Sequence, residues 1–359
     1  MRRPVYIAAS GLLCARGDSP EAVAASLWHG EHGSEIRRVG DREFPYFALP
    51  LAEPNWLKRA EQAVCHVTAQ LGALPAEIPL FVASSSFQIG HYEQLGEPYA
   101  VSVANAAFSR QIAEWMQISG PLASISNACI SGFSAMEAAR SLIASGQIDE
   151  AVIIGIELSN QVTLAGFSAM ELLSQTASRP FDARRDGLVL GEAVAAIRLS
   201  ATPALWRISG LRTGIDAYST TGPDPEGGPI ASVISDCLNE AQISASNIEL
   251  IKVQAAGSQG TDLAEANALH QIFGKNLPAM VSLKSAIGHT LGASGIAELV
   301  ALLACLEADQ IPATAGFQQA DPKIGAISPV DRNNCHIKRA MLNLIGFGGG
   351  LATMIVERP

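Results

Sequence analysis

The residue best suited to covalent chemistry is Cys129, which lies in the stretch SISNACISGFSAMEAARSLIASGQ at residues 124–147. The apolar residues behind it, from Phe133 to Ile143, have helical spacing. A cysteine at a helix N-terminus is predicted to have a lowered thiol pKa, because free N–H groups and the helix dipole favour the thiolate. Free cysteine is also among the most buried residue types, so position alone favours a packing residue over a nucleophile.

Three further stretches contain residues that could act together with a nucleophile. They are RPFDARRDGLVLGEA (179–193), SLKSAIGHTLGASG (282–295) and NLIGFGGGLA (343–352). The first is a dense charge cluster, the second places Lys284 and His289 at a strand-to-helix junction, and the third is a glycine-rich turn around Phe347. Such a turn can bring backbone N–H groups close to a ligand. Each stretch also has a purely structural interpretation, as an ion-paired turn, a structural histidine or a tight hairpin.

The composition of the chain excludes several kinds of site. The 359 residues have a net charge of −10 and no long basic run, which argues against nucleic acid as a partner. The six cysteines form no CxxC pair and the seven histidines lack metal-ligand spacing, so neither a disulfide framework nor a bound metal is expected. With 48% hydrophobic and 16% charged residues, the chain can bury a large core.

Strand-like apolar runs alternate with helical segments along the chain. Several runs, such as AVIIGIE (151–157), are continuously apolar, as expected for strands covered on both faces. Helices are predicted at 134–145, 229–242, 262–272 and 292–308. This alternation is typical of an α/β fold with sheets sandwiched by helices. The regions 30–60 and 88–118 fit the scheme poorly and are predicted to cover the site or build an interface.

Two segments of the chain resemble each other. NACISGFSAMEAARSLIASGQI and GHTLGASGIAELVALLACLEADQI both pass from small residues into a helix that ends before Gln-Ile. Self-similarity of this kind favours a duplicated fold. We expect an N-terminal half at 1–200 that carries Cys129, and a C-terminal half at 201–359 that carries Lys284 and His289, in one compact unit.

The apolar segments are interpreted as buried elements rather than membrane or export signals. The stretch PVYIAASGLLCA (4–15) superficially resembles a signal peptide, but no A-x-A site follows, so a first buried strand is predicted. The longest apolar run elsewhere, IAELVALLACL (296–306), contains Glu298 and is too short to span a bilayer. The sequence therefore predicts a soluble cytoplasmic protein.

Taken together, the four motif stretches resemble the β-ketoacyl-acyl-carrier-protein synthase family, which has the thiolase fold. The resemblance runs from about Val5 to Val356 and includes the order and spacing of all four motifs, which makes it far more specific than any one motif. It implies an α/β architecture in the form of a thiolase-like duplicated αβαβα layered sandwich. It also implies acyl-transfer chemistry at a cysteine.

In this family a cysteine takes an acyl group from a carrier-protein thioester. A malonyl thioester then loses carbon dioxide and attacks the acyl group, which lengthens the chain by two carbons. The resemblance implies that Cys129 is this nucleophile, and that its own N–H and that of Phe347 form the oxyanion hole. Phe347, with Gly348 in the same turn, matches the gatekeeper between the acyl pocket and the malonyl site.

The remaining roles concern the second half of the reaction. His289 matches the second active-site histidine, which polarises the malonyl thioester carbonyl. Lys284 matches the lysine that orients the network around that histidine, and Glu265 matches an acidic residue that supports the network. Four residues match a structural motif near the site: Arg179, Asp182, Arg185 and Asp186.

One motif departs from the family pattern, a strand followed by Asn-Ala-His-Gly-Thr. Here the chain reads VQAAGSQGTDLAEA, so Ala256 falls at the position of the first active-site histidine and Ser258 at that of a pantetheine-binding threonine. The loop is two residues shorter before Asp262, and the second threonine has no clear counterpart. Losing one donor to a forming enolate typically costs about 100- to 1000-fold in rate. We therefore expect weak condensation, whereas acylation of Cys129 should survive better.

The resemblance also implies partners. An acyl carrier protein would bring phosphopantetheine, so no bound cofactor is expected. A homodimer, or a heterodimer with another ketosynthase, would join across the strand GPLASISNA (120–128). Docking of the acidic carrier is predicted at Lys58 and Arg59, with Arg110 as a weaker candidate, although solvated helix charges explain these residues equally well.

Three functions stay open at this point. The first is a synthase, or a relative specialised for acyl transfer, that accepts a carrier-bound chain. The second is a non-condensing subunit like a chain-length factor, which pairs with an active ketosynthase; the changed loop favours it and the retained Cys129 counts against it. The third, a degradative thiolase, is disfavoured because Cys335 lies outside the glycine-rich turn.

Overall fold

A computed structural model describes residues 3–30 and 33–359, with the side chains of residues 101 and 102 excepted. The strands are β1 Tyr6–Cys14, β2 Glu35–Val39, β3 Arg42–Phe47, β4 Leu80–Ala83, β5 Leu122–Ile125, β6 Glu150–Glu157, β7 Leu190–Gly191, β8 Ala193–Ser200, β9 Trp206–Ile215, β10 Leu250–Lys252, β11 Ala279–Val281, β12 Gln310–Ile311, β13 Asn333–Asn334, β14 Arg339–Ile345 and β15 Gly350–Glu357. The helices are α1 Pro20–His29, α2 Trp56–Gln70, α3 Ile89–Leu95, α4 Val101–Trp115, α5 Ser131–Ser145, α6 Gln161–Ala169, α7 Gly228–Ala241, α8 Gln259–Phe273, α9 Lys284–Ile287 and α10 Ser294–Glu307.

The main sheet repeats one topology twice. Its strand order is β11-β10-β14-β15-β9-β1-β8-β6-β4-β5. Numbered within its own half, each set of strands reads 3-2-4-5-1 from the outer edge inward. In both halves the fifth strand is antiparallel to the first and fourth, and the outer pairs are parallel. The predicted duplication is therefore present in the topology. Since β8 ends at Ser200 and β9 begins at Trp206, we propose that the two halves divide between residues 200 and 201.

The helices form three layers around the two halves of the sheet. α5 and α10 lie in the middle and pack against the inner faces of both halves, for example against Ile153 of β6 and Leu342 of β14. α2 and α4 cover the outer face of the first half, and α7 and α8 cover that of the second. Neighbouring strand residues alternate between layers, since Ile153 faces the middle helices and Ile154 faces the outer ones. The result is the predicted αβαβα sandwich.

The two middle helices position the residues that could do chemistry. α5 and α10 each follow the third strand of their half, which confirms the equivalence that the repeated segments predict. They approach closely at glycines: a Cβ on Gly295 would lie 2.7 Å from the Phe133 ring. Cys129 lies two residues before the start of α5, and His289 lies just before the turn that leads into α10. The close packing of these two helices therefore brings Cys129 and His289 together.

The four helices predicted from apolar spacing are present as α5, α7, α8 and α10. Region 30–60 contributes β2 and β3, and Phe44 and Tyr46 of β3 pack in the same apolar cluster as Cys129, so this excursion does cover the site. Residues 31 and 32 lie outside the described part of the chain. Within that part, no helix combines the length and hydrophobicity that crossing a bilayer requires.

Candidate active site

Cys129 lies in a tight turn between the edge strand β5 and helix α5. Ala128 before it adopts a positive φ of 44°, a conformation that costs energy for a residue other than glycine. The Ser131 hydroxyl accepts the N–H of Asn127 at 2.8 Å and donates to the Ala128 carbonyl at 2.6 Å, which holds the turn. The Cys129 residue is only 5% exposed. A strained, locally braced turn at this position is typical of a functional residue.

The thiol of Cys129 is less acidic than the sequence predicts. Burial raises its pKa to about 11, although hydrogen bonds from the backbone N–H of Phe347 and of Cys129 itself, together with the charge of Lys284, act in the opposite direction. The prediction of a lowered pKa was wrong, because it considered the favourable field of the helix N-terminus but not the loss of solvent around the buried thiol. The backbone N–H groups of Cys129 and Phe347 nevertheless lie beside the sulfur, where they can donate to the oxyanion that forms when the thiol attacks a carbonyl.

The turn after β14 places Phe347 beside the cysteine. A Cβ on Gly346 would lie 3.3 Å from the backbone nitrogen of Cys129, so the two chain segments are in direct contact. The ring of Phe347 stacks on Phe167, with centroids 5.3 Å apart and planes 14° apart. The N–H of Gly348 donates to the carbonyl of Thr220 at 2.8 Å. The N–H of Gly348 is therefore occupied in this conformation, and Gly348 contributes to the site through the turn that carries Phe347.

His289 is a neutral imidazole with a defined tautomer. Its Nδ1 accepts the N–H of Leu291 at 3.3 Å and lies 3.1 Å from the hydroxyl of Ser294, so the proton is on Nε2. Burial and the charge of Lys284 lower its pKa to about 3. His289 is therefore a hydrogen-bond donor, rather than a cation, throughout the neutral pH range.

A buried cluster of charged side chains lies close to His289 and acts on its pKa. Glu298 binds two lysines, with Lys284 at one carboxylate oxygen and Lys252 at the other, 2.8 Å away. Lys252 also donates to the carbonyl of Asn343 at 2.9 Å. Burial acts to raise the pKa of Glu298, but the charges of the two lysines outweigh it and leave that pKa below its usual value. Burial lowers the pKa of Lys252 to about 8. Sequence analysis identified Lys284 but missed its partner Glu298 and the second lysine, Lys252, that shares this carboxylate.

The loop that carries Ala256 is held rigidly although it lacks the histidine. Glu265 accepts the N–H groups of Gln254 and Ala255 at 2.8 Å each. Asp262 accepts the N–H groups of Ala256 and of the following glycine at 3.1 Å each. Burial raises the pKa of Glu265 to about 7 and that of Asp262 to about 6. Glu265 therefore supports the loop backbone directly.

The charged stretch at 179–193 braces this loop from outside. The ion pairs are Arg179–Asp186 at 3.5 Å, Asp182–Arg184 at 3.0 Å and Arg185–Asp321 at 2.6 Å. The neighbouring Ser178 hydroxyl donates to the carbonyl of Ala256 at 2.6 Å. These contacts agree with a structural rather than a chemical role for the stretch.

One small pocket brings most of the predicted residues together. Its wall includes Cys129, Ala256, Ser258, His289 and Phe347. Its volume of about 40 Å³ is the size that one water molecule occupies, so an acyl chain needs further space. The stacked rings of Phe167 and Phe347 form part of the same wall. A movement of these rings would enlarge the pocket for an acyl chain.

The structure separates the two predicted docking residues on α2. Lys58 is exposed. The side chain of Arg59 is only 11% exposed, and both terminal nitrogens of its guanidinium group bind the buried carboxylate of Glu192 at 2.6 Å. Arg59 is therefore an internal ion-pair partner, and its side chain is not available for docking a carrier protein.

Comparison with known proteins agrees with this geometry. The family model "Beta-ketoacyl synthase, N-terminal domain" matches residues 71–203, and "Beta-ketoacyl synthase, C-terminal domain" matches residues 205–318, together more than half of the chain. The chain belongs to the β-ketoacyl synthase family. Among family members it is 34% identical, over 245 residues, to "3-oxoacyl-[acyl-carrier-protein] synthase 2" of Mycobacterium leprae. It is 30% identical, over 270 residues, to the "Tetracenomycin polyketide synthase ketoacyl synthase alpha subunit" of Streptomyces glaucescens.

These matches to β-ketoacyl synthases cover part of each relative. The first covers 62% of this chain and 57% of the M. leprae protein, and the second covers 70% of this chain and 63% of the S. glaucescens protein. The chain thus matches less than two thirds of the length of these relatives.

Solved ketosynthase structures share the whole fold. A ketosynthase in complex with its chain length factor from Xenorhabdus doucetiae has a TM-score of 0.89 at 23% identity, covering 99% of this chain and 98% of that chain. The ishigamide ketosynthase/chain length factor has a TM-score of 0.88 at 22% identity and covers all of both chains. This β-ketoacyl synthase family member therefore has the thiolase-like sandwich of ketosynthases.

Within this β-ketoacyl synthase fold, the structure supplies a hydroxyl that the sequence did not assign. Thr261 lines the pocket beside Ser258, and their hydroxyl oxygens are 3.5 Å apart. The shortened loop concealed this residue, because counting from Ala256 does not place Thr261 at the position of the second threonine. The polar pair of the altered loop is Ser258 and Thr261.

Proposed function

We propose that this protein accepts a carrier-bound acyl chain on Cys129, as a 3-oxoacyl-acyl-carrier-protein synthase of fatty acid or type II polyketide biosynthesis. The observation that carries the proposal is the convergence of the Cys129 sulfur, the Phe347 N–H and His289 on one pocket. These are a nucleophile, an oxyanion donor and a second hydrogen-bond donor, which are the groups that thioester chemistry needs.

Acylation of Cys129 requires only part of this machinery. The sulfur attacks the thioester carbonyl, the bond between that carbonyl and the carrier's pantetheine sulfur breaks, and the thiol proton ends on the departing sulfur. The N–H groups of Cys129 and Phe347 stabilise the oxyanion that forms between these two events. Each group needed for this step is present in the pocket.

Condensation requires more. The bond between the malonyl carboxylate and its neighbouring carbon breaks, and its electron pair passes to an enolate as carbon dioxide leaves. The enolate carbon then bonds to the acyl carbonyl, and Cys129 departs as a thiolate. His289 donates to the enolate oxygen, but the methyl group of Ala256 cannot. We therefore propose slow condensation relative to acylation.

The partner in this proposal is an acyl carrier protein, which supplies phosphopantetheine, so no bound cofactor is invoked. Ser258 and Thr261 line the pocket and offer hydroxyls to the pantetheine amides. Lys58 remains an exposed cation that suits an acidic carrier. A cytoplasmic location belongs to the same proposal and is supported by six free cysteines.

Intact-mass spectrometry after incubation with acyl-carrier protein tests the proposal. We expect the wild type and Cys65→Ala, which removes an exposed thiol, to gain the mass of the acyl group, and Cys129→Ala to gain nothing. Addition of malonyl-carrier protein should then release a product two carbons longer. An adduct that persists in Cys129→Ala, or no adduct at all, would refute the assignment.

A second candidate function is that of a chain-length-factor-like subunit paired with an active ketosynthase. It is favoured by the missing imidazole at Ala256 and by the small pocket of about 40 Å³. Co-expression with a competent ketosynthase discriminates between the two: a stable mixed dimer in which this chain takes no acyl group supports the subunit, whereas exclusive homodimers that become acylated reject it.

A further inference from the structure

The pocket contains a polar side chain, that of Gln254, that takes no part in the acylation and condensation steps proposed above. Gln254 is 4% exposed and lines the wall together with Cys129, Ala256 and His289. Its Oε1 is buried and has no hydrogen-bond partner among the described residues. A buried polar atom without a partner is destabilising, so the presence of Gln254 in this pocket calls for an explanation.

The position of Gln254 relates it to the missing histidine. Gln254 and Ala256 are two residues apart in the segment that follows β10, and their side chains face the same pocket. Both residues line the pocket, whereas Ala255 between them packs in the apolar cluster under helices α7 and α8. Because Ala256 carries only a methyl group, the space beside it is open to the longer carboxamide of Gln254.

The backbone under Gln254 is fixed on both sides. Its N–H donates to Glu265 at 2.8 Å, and the N–H of Val253 donates to the carbonyl of Val281 at 3.0 Å. The carbonyl of Ala255 accepts the hydroxyl of Ser282 at 2.6 Å. The base of the side chain is therefore held in place before any ligand enters, which is the condition under which a hydrogen bond contributes most to catalysis.

We propose that the carboxamide of Gln254 is a catalytic hydrogen-bond donor to the malonyl thioester carbonyl, acting with His289 in place of the imidazole absent at residue 256. Rotation about the bond to the amide carbon exchanges its oxygen and nitrogen, so the N–H₂ group faces the pocket when a carbonyl arrives. When the bond between the malonyl carboxylate and its neighbouring carbon breaks, carbon dioxide leaves and the electron pair of that bond forms an enolate. The enolate oxygen accepts one hydrogen bond from Gln254 and one from His289. No proton is transferred in this step. The inference rests on the proposed function and extends it to the second substrate.

The test compares Gln254→Met, which keeps the length of the side chain, with Gln259→Met on the exposed first residue of α8. One arm measures, by calorimetry, the affinity for a malonyl-pantetheine analogue in which nitrogen replaces the thioester sulfur. We expect Gln254→Met to bind about five- to tenfold more weakly than the wild type, since a neutral hydrogen bond contributes about 1 kcal/mol. Gln259→Met should bind as the wild type does.

The second arm measures turnover of the same proteins. Two-carbon extension should fall about 100-fold in Gln254→Met, while acylation of Cys129 stays within about twofold of the wild type. Equal affinity and equal extension in the two variants would overturn the role of Gln254. If the wild type takes no acyl group, the proposed function fails, and the affinity arm still decides whether Gln254 binds the malonyl carbonyl.

Discussion

At the scale of single residues, the reactivity of Cys129 depends on two opposing influences. Burial raises the pKa of the thiol to about 11, and the N–H of Phe347 and the charge of Lys284 act against that rise. Because the folded-state pKa is raised, the thiol stays protonated below pH 9 and gains thiolate as the pH approaches 11. At pH 7 only about one thiol in ten thousand would be ionised in the free protein.

This argument predicts the pH dependence of alkylation at Cys129. In the protein without substrate, the rate with iodoacetamide should rise about tenfold for each pH unit between 7 and 10, because the thiolate fraction does so below the pKa. Peptide mass spectrometry resolves Cys129 from the exposed Cys65, which should react faster at pH 7. A rate at Cys129 that levels off near pH 8 would show that the N–H groups and Lys284 outweigh burial.

A second residue-scale prediction concerns Lys252. In Lys252→Met, Glu298 keeps Lys284 but loses one of its two cations, and the carbonyl of Asn343 loses its donor. We expect a loss of about 1–3 kcal/mol in the free energy of unfolding, measured by urea denaturation at pH 7. Lys275→Met, at an exposed lysine, should change the free energy of unfolding by less than about 0.5 kcal/mol. Equal stability of the two variants would contradict a structural role for Lys252.

The sequence predicts a functional residue where a motif identifies it. It does not predict a role that depends on contact with a residue far away along the chain. Cys129, His289 and Phe347 lie at motif positions, and the structure brings them to one pocket. The partner of Arg59 is 133 residues away along the chain, and no local pattern encodes that pairing. The same limit hid the contact between Lys252 and Glu298, which are 46 residues apart.

At the scale of elements, the contact between α5 and α10 holds the site together. Gly295 lies at the second position of α10, where a Cβ would be 2.7 Å from the ring and 3.1 Å from the backbone nitrogen of Phe133. Gly295→Ala should therefore lower the free energy of unfolding by about 1–3 kcal/mol through overpacking, as measured by urea denaturation. It should also slow acylation of Cys129, since α5 must shift.

The matched control is Gly166→Ala on the exposed face of α6, where a Cβ meets no atom within 4 Å. Alanine there should stabilise the protein by up to about 1 kcal/mol, because glycine is a poor helix former. If Gly295→Ala were as stable as Gly166→Ala, the two middle helices would have more freedom than the structure indicates.

The elements themselves differ in how readily the sequence reveals them. Strands covered on both faces, such as β6, read as continuous apolar runs, and AVIIGIE was predicted as a strand for that reason. β9 was missed, although it is long and central, because Arg207 and Arg212 interrupt its apolar residues. Arg207 binds Glu357 on the neighbouring strand β15, so a cross-strand ion pair compensates the charge. Only the paired strands together explain why β9 is a strand.

At the scale of the whole molecule, the outer edge of the first half is open. β5 ends the strand order and runs directly into the turn that carries Cys129. The carbonyls of Pro121 and Ile125 point towards β4 and accept N–H groups there. The backbone N–H and C=O groups of Leu122 and Ser124 therefore point away from β4, towards the open side of the sheet. Open edges of this kind recruit another strand.

We therefore expect a second ketosynthase chain, identical or not, to pair along β5 and to cover the approach to Cys129. Leu122 is 36% exposed on this edge, and a lysine there would bury an unpaired charge in the interface. Sedimentation equilibrium should find that Leu122→Lys weakens dimerisation about tenfold or more, whereas Leu205→Lys, at a 53% exposed leucine between β8 and β9, leaves it unchanged. Unchanged association of Leu122→Lys would place the interface elsewhere. A dimer that forms in the wild type and in Leu205→Lys, but not in Leu122→Lys, would place the interface along β5, next to the turn that carries Cys129.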